Sequence, residues 1–157
     1  MEAIFLLNNL RSAFNVGSIL RTGEFLGFKN FVLAGYTPGL ADKKVLKTSL
    51  GAEKNLNIKI TKKPLLLIKN FKRQGFYIIS LEQNKNSIPF YKFKPKNKML
   101  IILGNEVLGV PKKILNISDY ILEIPKKGEV KESLNVAISF SILVSYLSFK
   151  DKFSKTV

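Results

Sequence analysis

The sequence of 157 residues contains no cysteine and no histidine. Without cysteine the chain can form no disulfide, no thiolate nucleophile and no sulfur-ligated zinc site. Without histidine it lacks the commonest general base and the commonest metal ligand. Any acid–base chemistry must therefore use carboxylates, Lys, Arg, Tyr or a bound water, and we predict no metal site.

Long apolar runs and the familiar nucleotide-binding motifs are also missing. No apolar run approaches the roughly 18 residues needed to cross a bilayer. The N-terminal sequence MEAIFLLNNLR has neither the basic start nor the small-residue cleavage site of a signal peptide, which predicts a cytoplasmic protein with no membrane association. The absence of G-x-G-x-x-G, G-x-x-x-x-G-K-[ST] and G-x-S-x-G argues against an ordinary dinucleotide, nucleoside-triphosphate or serine-hydrolase domain.

Acidic residues are few relative to basic ones. There are 26 Lys and Arg against 11 Asp and Glu, a net charge of +15. Such an excess attracts polyanions, with nucleic acid the first candidate and an anionic membrane surface the second. A lysine- and asparagine-rich composition can also reflect codon bias alone. The charge is regional, however, because residues 43–73 carry ten basic side chains and one acid, and residues 85–98 carry five lysines and no acid.

Apolar segments typical of buried strands alternate with helical patterns along the whole chain. This alternation predicts an α/β fold with a mostly parallel sheet and helices on both faces. We predict one domain over residues 1–150, a polar connector at 82–98 and a frayed tail at 151–157. The predicted strands are 3–7, 31–35, 57–61, 76–81, 99–104 and 119–125. The predicted helices or turns are 16–26, 41–53, 64–75, 106–115 and 133–149.

The last predicted helix is apolar on nearly every side, so it needs cover on every side. One sheet cannot provide that cover, and we therefore predict a homodimer. In the first helix, Val16, Ile19, Leu20 and Phe25 suit a packed face, while Arg21 lies on a polar face.

Three clusters combine Gly or Pro with a few polar residues near the ends of predicted strands. They are residues 15–28, 103–111 and 124–147. In open parallel sheets, ligands bind at the carboxyl ends of the strands. Each cluster alone also has a plain structural explanation. The second is a strand-to-turn exit, Ser133 of the third is a helix N-cap, and Arg21 pairs with Glu24.

Taken together, the clusters resemble the three motifs of the SpoU/TrmH family of RNA ribose 2′-O-methyltransferases, in the SPOUT superfamily. The resemblance spans residues 3–148. The first motif is carried by Asn15, Gly17, Arg21 and Gly27. The second is carried by Gly104, Glu106, Gly109, Val110 and Pro111. The third is carried by Leu122, Ile124, Pro125, Gly128, Ser133, Leu134, Asn135, Val136 and Ala137. The sequence departs from the family in its PKKG segment and in lacking an added RNA-binding domain.

The resemblance implies S-adenosylmethionine as cofactor, a homodimer and a deep C-terminal trefoil knot. Knots are otherwise essentially absent from proteins. It further implies that the cofactor lies against backbone and small side chains of the second and third clusters. The implied cofactor-binding residues are Leu81, Leu103, Gly104, Asn105, Glu106, Gly109, Ile124, Pro125, Ser133, Leu134 and Asn135.

The resemblance also assigns catalytic roles. Arg21 would activate the ribose 2′-hydroxyl, and Asn15 and Glu106 would position the ribose or Arg21. Ser133 and Asn135 would cap the last helix and hold the cofactor or the first cluster. In the dimer, the first cluster would work with the cofactor site of the other chain.

The implied substrate is RNA, with tRNA preferred and rRNA possible. The expected RNA-binding residues are Arg11, Lys43, Lys44 and Lys47. Three alternatives stay open: a non-catalytic basic RNA-binding α/β domain, a structural protein that assembles on rRNA, and a nucleotide-binding enzyme with an unusual loop.

Overall fold

Seven parallel strands form one sheet in the computed structural model, which describes residues 1–130 and 132–153. The strand order is β3-β2-β1-β6-β4-β7-β5. The strands are β1 Glu2–Asn8, β2 Asn30–Ala34, β3 Asn57–Thr61, β4 Tyr77–Leu81, β5 Ile88–Pro89, β6 Lys98–Leu103 and β7 Tyr120–Glu123. The helices are α1 Ala13–Phe25, α2 Lys43–Ser49, α3 Pro64–Arg73, α4 Lys112–Leu115 and α5 Val136–Phe153. The prediction of a parallel α/β sheet is confirmed.

Both faces of the sheet are covered, which follows from the alternation of side chains along each strand. On one face, α1, α2 and α5 pack over Phe5 and Phe31, and the Phe5 ring lies 5.1 Å from that of Phe140. On the other face, α3 and α4 pack Ile68 and Ile114 against the central strands. Within the described residues, no helix has the length and apolarity that crossing a bilayer requires.

Gly17, in the first cluster, sets the distance between α1 and α2. A Cβ added to Gly17 would lie 2.5 Å from the Val45 carbonyl oxygen and 1.9 Å from the Thr48 hydroxyl oxygen. Only a residue without a side chain allows this approach, so Gly17 serves helix packing.

The predicted connector at 82–98 contains more structure than its composition indicates. Ile88 and Pro89 form β5, which pairs with Leu122 and Glu123, and a short 3-10 helix follows at Phe90–Lys92. The prediction of a plain connector is therefore wrong. Two residues are too few to give a strand pattern, and the surrounding lysines conceal their apolar character.

One helix prediction also needs correction, because Phe25 is 84% exposed at the end of α1 and does not join the packed face. Within this chain Phe140 and Val144 of α5 are buried in the core, whereas Ile138 and Phe149 are exposed. The homodimer expected to cover the rest of α5 stays a prediction. This helix continues through Phe153, beyond the start of the predicted tail, and residues 154–157 of that tail lie outside the described residues.

Candidate active site

A cleft of about 780 Å³ opens at the carboxyl ends of β6, β4 and β7. The strand register aligns Leu103 with Leu81 and Leu81 with Leu122, so three leucines form a row at the point where the strands end. The loops that follow these strands and the start of α5 complete the walls. Every predicted cofactor-binding residue lines this cleft: Leu81, Leu103, Gly104, Asn105, Glu106, Gly109, Ile124, Pro125, Ser133, Leu134 and Asn135.

The loop after β6 closes tightly on itself. The Asn105 N–H donates to the Gly109 carbonyl oxygen at 3.1 Å, and the Gly109 N–H donates back to the Asn105 carbonyl oxygen at 2.9 Å. A Cβ on Gly104 would lie 2.3 Å from the Gly109 carbonyl carbon. The second cluster therefore needs glycine at position 104, because two backbone segments touch there. Gly104 and Gly109 both line the cleft, and since glycine has no side chain they present backbone to it.

Glu82, which was not among the predicted site residues, holds this loop in place. Its carboxylate accepts a hydrogen bond from the Val110 N–H at 2.7 Å and lines the cleft. The available signal was its position, an acid directly after the apolar strand at 76–81.

Glu106 joins the second cluster to the first. One carboxylate oxygen accepts from the Arg11 N–H at 2.8 Å, and the other accepts from the Ser12 N–H and the Asn15 side-chain amide, each at 3.0 Å. Partial burial alone would raise the pKa of Glu106, but these three donors favour the charged form and hold its pKa below the ordinary value. The carboxylate thus stays ionised while it fixes the start of α1.

Asn15 continues this polar connection to the third cluster. Its side-chain oxygen accepts from the Asn135 side-chain amide at 3.1 Å. The Asn135 oxygen in turn accepts from the Ala137 N–H at 2.8 Å, so Asn135, rather than Ser133, occupies the capping position of α5. Ser133 lies in the preceding loop, where it lines the cleft. The fold therefore connects Glu106, Asn15 and Asn135, although they come from three remote parts of the sequence.

Arg21 is placed differently from the other predicted catalytic residues. It is exposed on α1, about 9 Å along the helix from Asn15, and does not line the cleft of its own chain. Within the described residues it forms no ion pair with Glu24, which instead accepts a hydrogen bond from Asn55 at 3.3 Å. Any catalytic role for Arg21 therefore requires a site beyond this cleft.

The conserved pattern of the SpoU rRNA Methylase family matches residues 2–145. The chain belongs to this family. It is 33% identical over 144 residues to an uncharacterized tRNA/rRNA methyltransferase of Borreliella burgdorferi, covering 90% of this chain and 61% of the relative. The chain thus spans about three fifths of that relative's length.

Solved structures of similar proteins share the fold. A putative RNA methyltransferase of the TrmH family from Porphyromonas gingivalis superposes with a TM-score of 0.85 at 28% identity, over 92% of this chain and 58% of that one. The SpoU methyltransferase AviRb from Streptomyces viridochromogenes, solved in complex with AdoMet, superposes with a TM-score of 0.82 at 21% identity, over 94% and 57% of the two chains.

The cleft of this SpoU-family chain has an electrostatic character opposite to that of the whole protein. Its described lining includes two lysines, Lys126 and Lys127, against five glutamates. The five are nearly half of the chain's 11 acidic residues: Glu82, Glu106, Glu123, Glu129 and Glu132. A negatively charged cleft favours a ligand that carries positive charge and disfavours a phosphate.

The predicted RNA-binding residues lie outside this cleft. Arg11 is exposed after β1, and Lys43, Lys44 and Lys47 are exposed on α2. Within the described residues, no cluster of three or more Asp or Glu side chains is arranged to hold a metal ion.

Proposed function

We propose that this chain is an S-adenosylmethionine-dependent methyltransferase that acts on a ribose 2′-hydroxyl of RNA, with tRNA as the preferred substrate and rRNA as the alternative. The observation that carries the proposal is the connection of Glu106, Asn15 and Asn135 beside one negatively charged cleft. A purely RNA-binding domain has no need for this arrangement. We also propose a cytoplasmic location, with which an RNA substrate agrees.

The residues of the cleft fit the proposed cofactor. The volume of the cleft lies within the range of about 300–1,000 Å³ that small-molecule sites occupy. Leu103, Ile124 and Leu134 offer apolar surface to an adenine, and the glutamates complement the positive charge of a sulfonium and an amino group. When bound, S-adenosylmethionine supplies a methyl group on a positively charged sulfur.

Arg21 would stabilise the negative charge that develops on the ribose oxygen. A guanidinium hardly ever loses its proton, so we assign it hydrogen bonding to the developing alkoxide and not the role of general base. The proton of the 2′-hydroxyl would leave to an RNA phosphate or to water. The absence of histidine agrees with this route, because no imidazole is present to take the proton.

A homodimer would bring Arg21 to a cleft. Phe14, Ser18, Arg21 and Phe25 follow one another at the spacing of a single face of α1, and both phenylalanines are exposed. An exposed apolar face of this kind, together with Ile138 of α5, suits a subunit interface. We therefore propose that Arg21 of one chain acts at the cleft of the other. We also propose that the third cluster forms the trefoil knot.

Methyl transfer to total tRNA and, separately, to total rRNA tests the proposal. We expect the wild type to incorporate labelled methyl groups that nuclease digestion recovers as 2′-O-methylated nucleosides. Arg21→Lys should lower the rate about 100-fold or more, because an ammonium lacks the planar pair of donors.

Calorimetric titration with S-adenosylmethionine provides the control for this variant. Arg21→Lys should bind the cofactor within about twofold of the wild type, because Arg21 is assigned to the ribose oxygen and is not among the residues assigned to the cofactor. The proposal fails if the wild type binds the cofactor but methylates neither RNA, or if Arg21→Lys keeps full activity.

A further inference from the structure

Tyr36 is an exposed aromatic residue whose position is fixed by hydrogen bonds instead of burial. It follows β2 and is 57% exposed. Its backbone N–H donates to the Asn9 side-chain oxygen at 3.2 Å, and its hydroxyl oxygen accepts from the Asn105 side-chain amide at 3.0 Å. Tyr36 is thus held at its backbone and at its hydroxyl, while more than half of the residue is open to solvent.

Asn105 links Tyr36 to the loop that lines the cleft. Its side-chain nitrogen donates to Tyr36 and to the Asn9 carbonyl oxygen, and its side-chain oxygen accepts from the N–H groups of Val107 and Leu108, both at 2.9 Å. An amide side chain has two N–H donors and two acceptor positions. All four are in use, so the side chain of Asn105 organises this region and the orientation of Tyr36 depends on the cleft loop.

Basic residues follow the strands on both sides of β2, the strand that precedes Tyr36. The Lys62 ammonium donates to the Gly35 carbonyl oxygen at 2.8 Å, directly beside Tyr36 in the chain. Lys62, Tyr36 and Arg11 follow β3, β2 and β1, which are adjacent strands about 4.8 Å apart. The next strand, β6, ends at Leu103 in the cleft, so this row of side chains leads to the proposed reaction site along the same sheet edge.

We propose that Tyr36 is a stacking platform for a base that flanks the methylated nucleotide, with Arg11 and Lys62 contacting the phosphates on either side. This inference rests on the proposed RNA substrate. Aromatic rings alternating with cations are the means by which proteins hold single-stranded RNA, because every base has a face that can stack. In this role the hydroxyl of Tyr36 orients the ring through its hydrogen bond with Asn105, and the ring stacks on the RNA base.

Tryptophan fluorescence reports such stacking directly, because the chain contains no tryptophan of its own. Tyr36→Trp should lose more than half of its emission when it is saturated with total tRNA at low salt. Tyr77→Trp is the matched control, because Tyr77 is another partly exposed tyrosine and lies at the amino end of β4, whereas Tyr36 follows the carboxyl end of β2. Equal quenching of the two variants would overturn the inference.

Steady-state methyl transfer separates stacking from a structural role. Tyr36→Leu should raise the KM for the methylated RNA about 5- to 100-fold, with cofactor affinity unchanged. Tyr36→Phe should recover most of this loss, because it keeps the ring. If the hydroxyl bond to Asn105 were what mattered, both variants would be equally impaired, and the inference would be wrong.

The assay also distinguishes this inference from the proposed function. If the wild type methylates tRNA or rRNA and Tyr36→Leu shows an unchanged KM, the stacking role alone is refuted. If the wild type neither binds nor methylates either RNA, the proposed function fails and the stacking role fails with it.

Discussion

The Glu106 carboxylate receives hydrogen bonds from two backbone N–H groups and one side-chain amide, all from residues 11–15. The bonds from Ser12 and Asn15 are partly buried, and all three donors would lose their partner if the carboxylate were removed. An unsatisfied donor costs about 1–3 kcal/mol, more than the gain from a typical bond that forms. Glu106 is therefore a structural residue as well as a candidate for positioning the ribose.

Glu106→Gln should lower the free energy of unfolding at pH 7 by about 1–3 kcal/mol, because a neutral amide offers one oxygen to three donors. The folded-state pKa of Glu106 lies below its unfolded value, so its stabilising contribution is complete above the unfolded pKa and disappears as the pH falls through the folded pKa. Urea unfolding from pH 7 to pH 3 should show the difference from wild type shrinking in acid.

Glu129→Gln is the matched control for that measurement, since Glu129 lines the same cleft but is exposed. Its unfolding free energy should stay within about 0.5 kcal/mol of wild type. A loss of stability in Glu106→Gln that is equal at pH 7 and pH 3 would contradict the ionised-carboxylate explanation.

At the scale of secondary-structure elements, the N-terminus of α5 shows how one side chain serves two purposes. The Asn135 oxygen caps the helix, and its nitrogen donates to Asn15 on α1. Asn135→Asp keeps the capping acceptor and loses the donor, whereas Asn135→Ala loses both.

We expect Asn135→Ala to cost about 0.5–2 kcal/mol of stability and Asn135→Asp much less, measured by urea denaturation. Both variants should lose most of the methyl-transfer rate, since neither can donate a hydrogen bond to the Asn15 side chain. An aspartate variant with wild-type activity would show that the bond to Asn15 is dispensable.

The sequence was sufficient to predict six of the seven strands and the parallel sheet, because buried parallel strands are continuous apolar runs. Strand β5 was missed because two residues among lysines carry no pattern. All the predicted cofactor residues meet at one cleft because the strands that precede them end at one edge. Local pattern could not tell Ser133 from Asn135 as the cap, or show that Phe25 is exposed, because both depend on where a helix starts or ends.

At the scale of the whole molecule, charge is divided between two surfaces. The charged residues that line the described part of the cleft are mainly glutamates, whereas Arg11 and the α2 lysines are exposed outside it. This division of charge would allow the proposed RNA to be attracted to the basic surface while the proposed cationic cofactor binds in the cleft.

RNA affinity should therefore fall steeply with salt. Four phosphate contacts, by Arg11, Lys43, Lys44 and Lys47, would weaken binding roughly 100-fold between 50 and 200 mM salt. Filter binding of total tRNA measures the slope, and replacing both Lys43 and Lys44 with Gln should reduce it. A flat response would count against this surface.

The proposed dimer predicts complementation between two inactive variants. Arg21→Ala lacks the cation that we propose to be catalytic, and Leu134→Glu places a charge on the apolar wall of the cleft. Random reassociation makes half of the dimers mixed, each with one intact site, so activity should return to about a quarter of wild type. Sedimentation establishes the dimer first; a mixture that stays inactive would mean that Arg21 does not act across the interface.

The position of β6 in the sheet has a consequence for how the protein is made. This strand lies between β1 and β4, yet it follows both of them in the chain. In a nascent polypeptide that has reached only residue 97, β1 and β4 each have an unpaired edge where β6 will later lie. Open edges of this kind recruit strands from other molecules. Residues 98–103 supply the strand that fills the gap between β1 and β4, and the other side of β4 stays open until β7 is made.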